Sequence, residues 1–253
     1  MKHMTTRVRH ETRQRTLTIS RIERLNPRML RFAFTSPDLG DFVSAAHDDH
    51  VKLVFPHPPG TDENAKPLRR DFTPRAYDAA AGTMVIDFAL HESGPATQWA
   101  TAARVGETLD IRGPRGSKVV PDDFDWYLLI GDETALPAIG RRVEELRAGV
   151  PVTTLATIAD AGEAQSFDTR AAWTPLWATR PAGSNDDAAL LQSALAGWTP
   201  PPGDGFVWIA GEAALARALR DHFIDERGHP KDWVKAAGYW QRGDAGGHVH
   251  IRD

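Results

Sequence analysis

Residues 128–139 read LLIGDETALPAI: an apolar run, a glycine, two acids, then a helical pattern with Pro137 in its first turn. The same order returns at 207–219, VWIAGEAALARAL. Proline suits a first helical turn because its missing N–H would be unpaired there anyway. A repeated order of strand, glycine turn and helix predicts a parallel sheet with crossover helices. A helix N-terminus offers unpaired N–H groups and positive partial charge to a phosphate. Neither stretch is GxGxxG or a Walker loop. The acids at the turns, Asp132, Glu133 and Glu212, also cap helices well, which explains them without a ligand. A phosphate, an adenosine ribose or a nicotinamide amide beside Gly131 is compatible with the same residues.

Working outward, residues 126–130, 152–158, 205–210 and 233–237 read as strands. Residues 186–195 and 213–226 read as helices, the second closed by Gly228, with Gly211-Glu212 as a turn between strand and helix. Before Pro121 the period changes. Residues 16–22 (TLTISRI) and Met29–Thr35 (MLRFAFT) alternate apolar with polar, as half-buried strands do. Residues 50–55 and 84–90 are further strands, and 106–112 lead into Gly113-Pro114-Arg115-Gly116-Ser117, read as a tight turn. Short strands separated by turn clusters predict a barrel or sandwich. The expected architecture is an antiparallel β-barrel over 1–121 and a parallel-sheet α/β domain over 122–253.

Composition narrows the chemistry. The chain has 253 residues, 41% of them apolar, and no Cys. Disulfides, cysteine-ligated zinc, thiolate-held iron–sulfur clusters and thiol nucleophiles are excluded. The start lacks the run of roughly 7–15 apolar residues of a signal peptide, so a cytoplasmic location is expected. No stretch approaches the ~18–20 apolar residues of a membrane span. The net charge of −4 divides into +4 over 1–121 (18 Lys/Arg, 14 Asp/Glu) and −8 over 122–253 (12 and 20). The first 31 residues hold nine basic groups against Glu11 and Glu23. Such a run is either a solvated face or a surface for an anion. A nucleic-acid role lacks aromatic interleaving and is not expected.

Three constellations could carry chemistry. Arg70-Asp71-Phe72-Thr73-Pro74-Arg75 sets a cation, a flat ring and a hydroxyl within a few residues. In extended chain Arg70 and Phe72 share one face and Thr73 and Arg75 the other. An edge strand with exposed arginines accounts for the same residues. His91-Glu92-Ser93-Gly94-Pro95-Ala96-Thr97 opens a short helix that Ser93 or Thr97 can cap, and is also a plausible anion site. Gly238-Tyr239-Trp240-Gln241-Arg242 could cover a flat ligand and meet an anion, or pack at a domain seam. Ten histidines raise a metal site, but His248 and His250 form a lone H-x-H, and His3 and His10 read as part of a mobile tail. No metal is expected. The chain has neither HExxH nor GxSxG, so hydrolase chemistry has no support.

Taken in order, R-D-F-T-P-R, H-E-S-G-P-A-T, G-P-R-G-S, G-D-E-T-A-L-P-A-I, A-G-E and G-Y-W resemble the siderophore-interacting protein family. Its members are flavin-dependent ferric-siderophore reductases, similar in architecture to ferredoxin–NADP⁺ reductases. The resemblance runs from about Thr16 to Arg242. It implies FAD on the barrel and NADH or NADPH on the α/β domain. By that resemblance Arg70 meets the flavin pyrophosphate, Phe72 packs on the flavin and Thr73 bonds near its N5 edge. Arg75 holds the strand or the cofactor, and His91 approaches the isoalloxazine or ribityl region. Gly94, Pro95, Ala96 and Thr97 line the pyrophosphate. The nicotinamide dinucleotide lies against Gly131, Asp132, Glu133, Thr134, Ala210, Gly211 and Glu212. Trp240 sits close to the flavin and, with Thr73, is assigned a catalytic place. Phe72 departs from the family's usual Tyr, which keeps the ring and loses the hydroxyl. Gln241 stands where the family often has a basic residue, so Lys52 and Arg242 are the candidates for the siderophore.

The implied reaction passes a hydride from nicotinamide to flavin, then single electrons to Fe(III) inside an anionic ferric siderophore, releasing Fe(II). A monomer is expected. The alternatives are a flavin reductase or electron-transfer enzyme with another acceptor, and a siderophore-binding protein without catalysis. Arg180 is available for the 2′-phosphate of NADPH.

Overall fold

A computed structural model describes residues 2–57, 62, 65–91, 94–183 and 186–243. Ser93, His248 and His250 therefore lie outside the described residues. The chain divides into two compact units, Met4–Val120 and Pro121–Asp253, the latter joined by Met1–His3.

In the first unit β2 (Gln14–Asn26), β3 (Met29–Thr35), β4 (Val51–Phe55), β5 (Leu68–Phe72), β6 (Ala76–Asp78), β7 (Thr83–Ala89) and β8 (Thr108–Arg112) form an antiparallel half-barrel. The strand order is β5-β4-β8-β2-β3-β7-β6, so β5, which carries Arg70 and Phe72, is an edge. The two-residue period sends Leu17, Ile19, Phe32, Phe34, Val51, Leu53, Ile86 and Ile111 into one core. The helix α1 (Pro95–Ala102) lays Trp99 and Ala100 against that core.

The segment expected as a tight turn after Gly113 goes further. It becomes the strand β9 (Gly116–Val119), which pairs antiparallel with β1 (Thr6–Arg9). The basic N-terminus is thus a held ribbon rather than a mobile tail. His10 Nε2 lies 2.7 Å from Ser117 Oγ. His3 stacks on Phe124 at 4.0 Å, with its ring nitrogens 2.7 and 3.1 Å from Asp123 and Asp204. Its carboxylate partners lie 120 and 201 positions away, beyond the reach of a local reading.

The second unit is a five-stranded, all-parallel sheet. Its strands are β10 (Trp126–Gly131), β11 (Pro151–Ile158), β12 (Ala172–Thr179), β13 (Gly205–Glu212) and β14 (Val234–Trp240), in the order β12-β11-β10-β13-β14. Every residue of β10 is buried, as a central parallel strand requires. The helices α2 (Leu136–Glu145), α3 (Asp187–Leu195) and α4 (Ala213–Asp221) supply the crossovers after β10, β12 and β13, while only a short 3₁₀ turn, Ala161–Glu163, lies between β11 and β12. Asp186 and Glu212 cap α3 and α4 through their carboxylates.

Three details depart from the sequence reading. β12 escaped it because Pro175 interrupts the pattern, and an edge strand tolerates proline. Gly211 and Glu212 do not form a separate turn: β13 runs through them with a shift of register opposite Trp240. The helix expected over 213–226 is α-helical to Asp221 and then widens into a π turn, His222–Glu226. No helix among the described residues is long and apolar enough to cross a membrane.

Candidate functional site

In an open parallel sheet, ligands bind outside the carboxyl ends of the strands where the strand order reverses. Here that point lies between β10 and β13, and the residues there are Gly131, Asp132 and 210–212. Asp132 organises it. The residue is fully buried, and four donors converge on its carboxylate. Thr134 gives its N–H at 2.9 Å and its hydroxyl at 2.5 Å to Oδ1. The Glu212 N–H and the Trp240 indole N–H each reach Oδ2 at 2.9 Å. The ends of β10, β13 and β14 are thereby tied to one carboxylate. Burial, with the neighbouring charge of Glu133, pushes the Asp132 carboxyl up to about 6, against the pull of Thr134 and Trp240.

The glycines are fixed by packing. A Cβ on Gly131 would stand 2.4 Å from the Ala135 Cβ and 2.5 Å from the Ala210 carbonyl oxygen. Gly211 has φ +148°, and a Cβ there would press on the Asp132 carboxylate at 2.5 Å. Glu212 spends its Oε2 on the N–H groups of Ala214 and Leu215 at the start of α4. The first residues of α2, Leu136 to Ile139, are buried. Asp132 thus holds strand ends in place and presents no carboxylate surface of its own, while Glu133 and Thr134 stay partly exposed. The Arg242 N–H meets Glu212 Oε1 at 3.3 Å.

The sequence reading missed a cluster on the same edge of the sheet. Arg180, directly after β12, reaches Asp187 at 2.6 Å, Glu133 at 2.5 Å and Thr157 Oγ1 at 2.8 Å. These hydrogen bonds and the two carboxylates raise the guanidinium's affinity for its proton, although burial works against it. No local spacing signals this cluster, since its members come from four elements.

In the half-barrel, R-D-F-T-P-R forms β5 and its exit. Lys52 on β4 grips Asp71 at 2.7 and 2.9 Å, so its charge is already paired. Phe72 packs its ring on Phe88 at 4.4 Å and on Phe55 at 6.2 Å, at the margin of the core. Thr73 is buried at the strand's end. Arg75 is buried too; its N–H bonds the Val85 carbonyl, and its Nε lies 3.9 Å from Asp87. Asp87 also takes a two-pronged pair from Arg31 at 2.7 Å on each oxygen. Arg75 therefore holds the sheet. Arg70 is half-buried and bonds the Arg69 carbonyl at 2.8 Å.

α1 begins at Pro95 after Gly94, whose φ is +134° and around whose Cβ position no described residue beyond its chain neighbours lies within 4 Å. Among the described residues no side chain caps this helix. The Thr97 hydroxyl takes the His91 N–H at 3.2 Å. A groove of about 370 Å³ runs along α1, lined by Leu68, Pro95, Gln98 and Trp99 among others. A helix N-terminus beside an open groove fits the pyrophosphate of a dinucleotide.

Comparison with known proteins assigns the two units. Residues 18–65 and 60–118 match the siderophore-interacting FAD-binding domain, and residues 124–243 match the siderophore-interacting protein pattern. The chain is 34% identical to the NADPH-dependent ferric-chelate reductase of Escherichia coli strain K12, over 92% of this chain and 95% of that protein. It is also 34% identical to a siderophore utilization protein from T. fusca, with a TM-score of 0.87 over 97% of this chain and 99% of that one. The ferredoxin reductase of carbazole 1,9a-dioxygenase shares the fold, with a TM-score of 0.68 at 14% identity over 91% of this chain and 70% of that one. This chain belongs to the siderophore-interacting protein family.

Proposed function

We propose that this chain is an FAD-dependent reductase that takes electrons from NADH or NADPH and delivers them to Fe(III) held in a siderophore, releasing Fe(II). The observation that carries the reading is the full-length likeness to a ferric-chelate reductase, which spans both units. FAD, when bound, converts a two-electron donor into a one-electron source. The half-barrel, within 1–121, takes FAD. The α/β unit, within 122–253, takes the nicotinamide coenzyme.

The chain's own residues bind and orient. The open N-terminus of α1, from Gly94 to Thr97, and Arg70 hold the pyrophosphate. Phe72, Thr73 and His91 border the flavin ring and its ribityl chain. Arg75 keeps the exit of β5 in place through Asp87. Asp132, bonded to Trp240, Thr134 and the Glu212 N–H, fixes the edge on which the coenzyme lies. Trp240 takes its catalytic place at that edge. The iron arrives as substrate inside its own chelator. Reduction lowers its charge, so hard oxygen ligands hold it less well. Lys52, as half of its pair with Asp71, and Arg242 are the groups assigned to an anionic chelate.

The test is spectroscopic. Purified chain should be yellow, and anaerobic NADH or NADPH should bleach the flavin absorbance. A ferric siderophore should restore the colour while an Fe(II) chelator captures one iron per electron. A colourless protein that takes up no added FAD would sink the proposal. A bleached protein that free flavin reoxidises, and ferric siderophore does not, would indicate another acceptor.

A further inference from the structure

The carboxyl ends of β11 and β12 are acidic in a way that bears on the coenzyme. β11 ends at Ile158, which is paired with Thr179, the last residue of β12. Just beyond β11, Asp160 is exposed, and its Oδ1 takes the Gly162 N–H at 2.8 Å. Glu163 closes the same turn by accepting the Ala159 N–H at 2.8 Å. Just beyond β12, Arg180 bonds the Ile158 carbonyl through its backbone. Its side chain is committed to Asp187 and Glu133 together. Among these described residues one cation stands among four carboxylates, which leaves them negative together.

In sheets of this type, an acid near the end of the second strand accepts the hydrogen bond of a ribose 2′-hydroxyl, whereas an arginine nearby accommodates a 2′-phosphate. A phosphate monoester carries roughly −1.5 to −2 charges near neutral pH. It would meet Asp160 on one side and a guanidinium already neutralised on the other. Rejection by an unpaired like charge is an ordinary route to selectivity.

We infer that Asp160, with Arg180 sequestered by Glu133 and Asp187, makes this chain prefer NADH to NADPH. The inference rests on the proposed function and sets this chain apart from the coenzyme named for its Escherichia coli relative.

Calorimetric titration of the FAD-loaded chain with NAD⁺, NADP⁺, 5′-AMP and 2′,5′-ADP tests it without turnover. NAD⁺ should bind about tenfold more tightly than NADP⁺, and 5′-AMP more tightly than 2′,5′-ADP. Asp160→Ser should close most of that gap. Asp187→Asn, which frees one side of Arg180, should strengthen NADP⁺ about tenfold and leave NAD⁺ nearly unchanged. Equal or tighter binding of NADP⁺ by the unaltered chain overturns the inference and leaves the reductase reading intact. So does an unmoved ratio in both variants, provided their melting curves show them folded. Binding of neither dinucleotide overturns the inference together with the nicotinamide reading.

Discussion

The Trp240 indole N–H donates to Asp132 Oδ2 at 2.9 Å, joining the last described strand to the first strand of the α/β unit across 108 positions of sequence. The acceptor is fully buried, where leaving a polar group unpaired is costly. Trp240→Phe keeps the ring and removes the donor. A buried acceptor that loses one partner costs about 1–3 kcal/mol. The melting temperature should fall accordingly, and the Asp132 carboxyl should rise further. Calorimetric scans across pH would show both, and an unchanged profile would count against the hub.

The same carboxylate sets a pH dependence. Asp132 titrates at about 6 when folded, against 3.8 as an unperturbed group. The folded state binds this proton more readily than the unfolded chain does. Its contribution to stability is therefore full below pH 3.8 and is lost as pH rises through 6, amounting to about 3 kcal/mol. Asp132→Asn removes the titration. The wild type should thus lose stability relative to this variant between about pH 4 and 7. Urea midpoints at several pH values measure the gap, and a gap independent of pH would contradict the assignment.

Asp87 anchors two arginines in the half-barrel, Arg31 through both oxygens and Arg75 at 3.9 Å. Asp87→Ala removes the acid that both arginines share, and Arg75 is buried. Breaking a buried ion pair by removing one partner costs about 3–5 kcal/mol. Arg31→Ala should cost less, because Arg31 is a quarter exposed and Arg75 remains beside the acid. Urea unfolding followed by tryptophan fluorescence should rank Asp87→Ala well below Arg31→Ala.

Arg70 is half-buried on an edge strand and donates to its neighbour's carbonyl. Arg70→Ala should leave the fold of the apo-chain nearly unchanged. If Arg70 holds the pyrophosphate, losing one charge-assisted bond should raise the FAD Kd about 10- to 100-fold. Flavin fluorescence titration gives the Kd directly. An unaltered value would remove Arg70 from the site.

Much of the architecture was legible because it follows local periods. β3 alternates along seven residues, and its bounds coincide with those expected. The apolar run before Gly131 is a strand buried on both faces. What escaped was set by partners. β12 carries a proline that only an edge position excuses. β1 exists because β9 lies opposite it. Asp87 left a faint trace as one acid inside the run MVIDFA, and its register partner, Arg31, lies on the adjacent strand.

By itself the sequence determined the order of strands and helices, the change of grammar near Pro121 and the absence of thiol chemistry. These depend on periods of two and 3.6 residues and on which side chains exist. Tertiary structure alone decided how the charged residues are used. Asp132 became a buried junction, Arg180 an internal counterion and Lys52 half of a pair. The strength of a charge depends on its solvation and on its partners within a few ångströms. For Asp132 those partners include residues 80 and 108 positions away, which chain folding brings to one edge of the sheet.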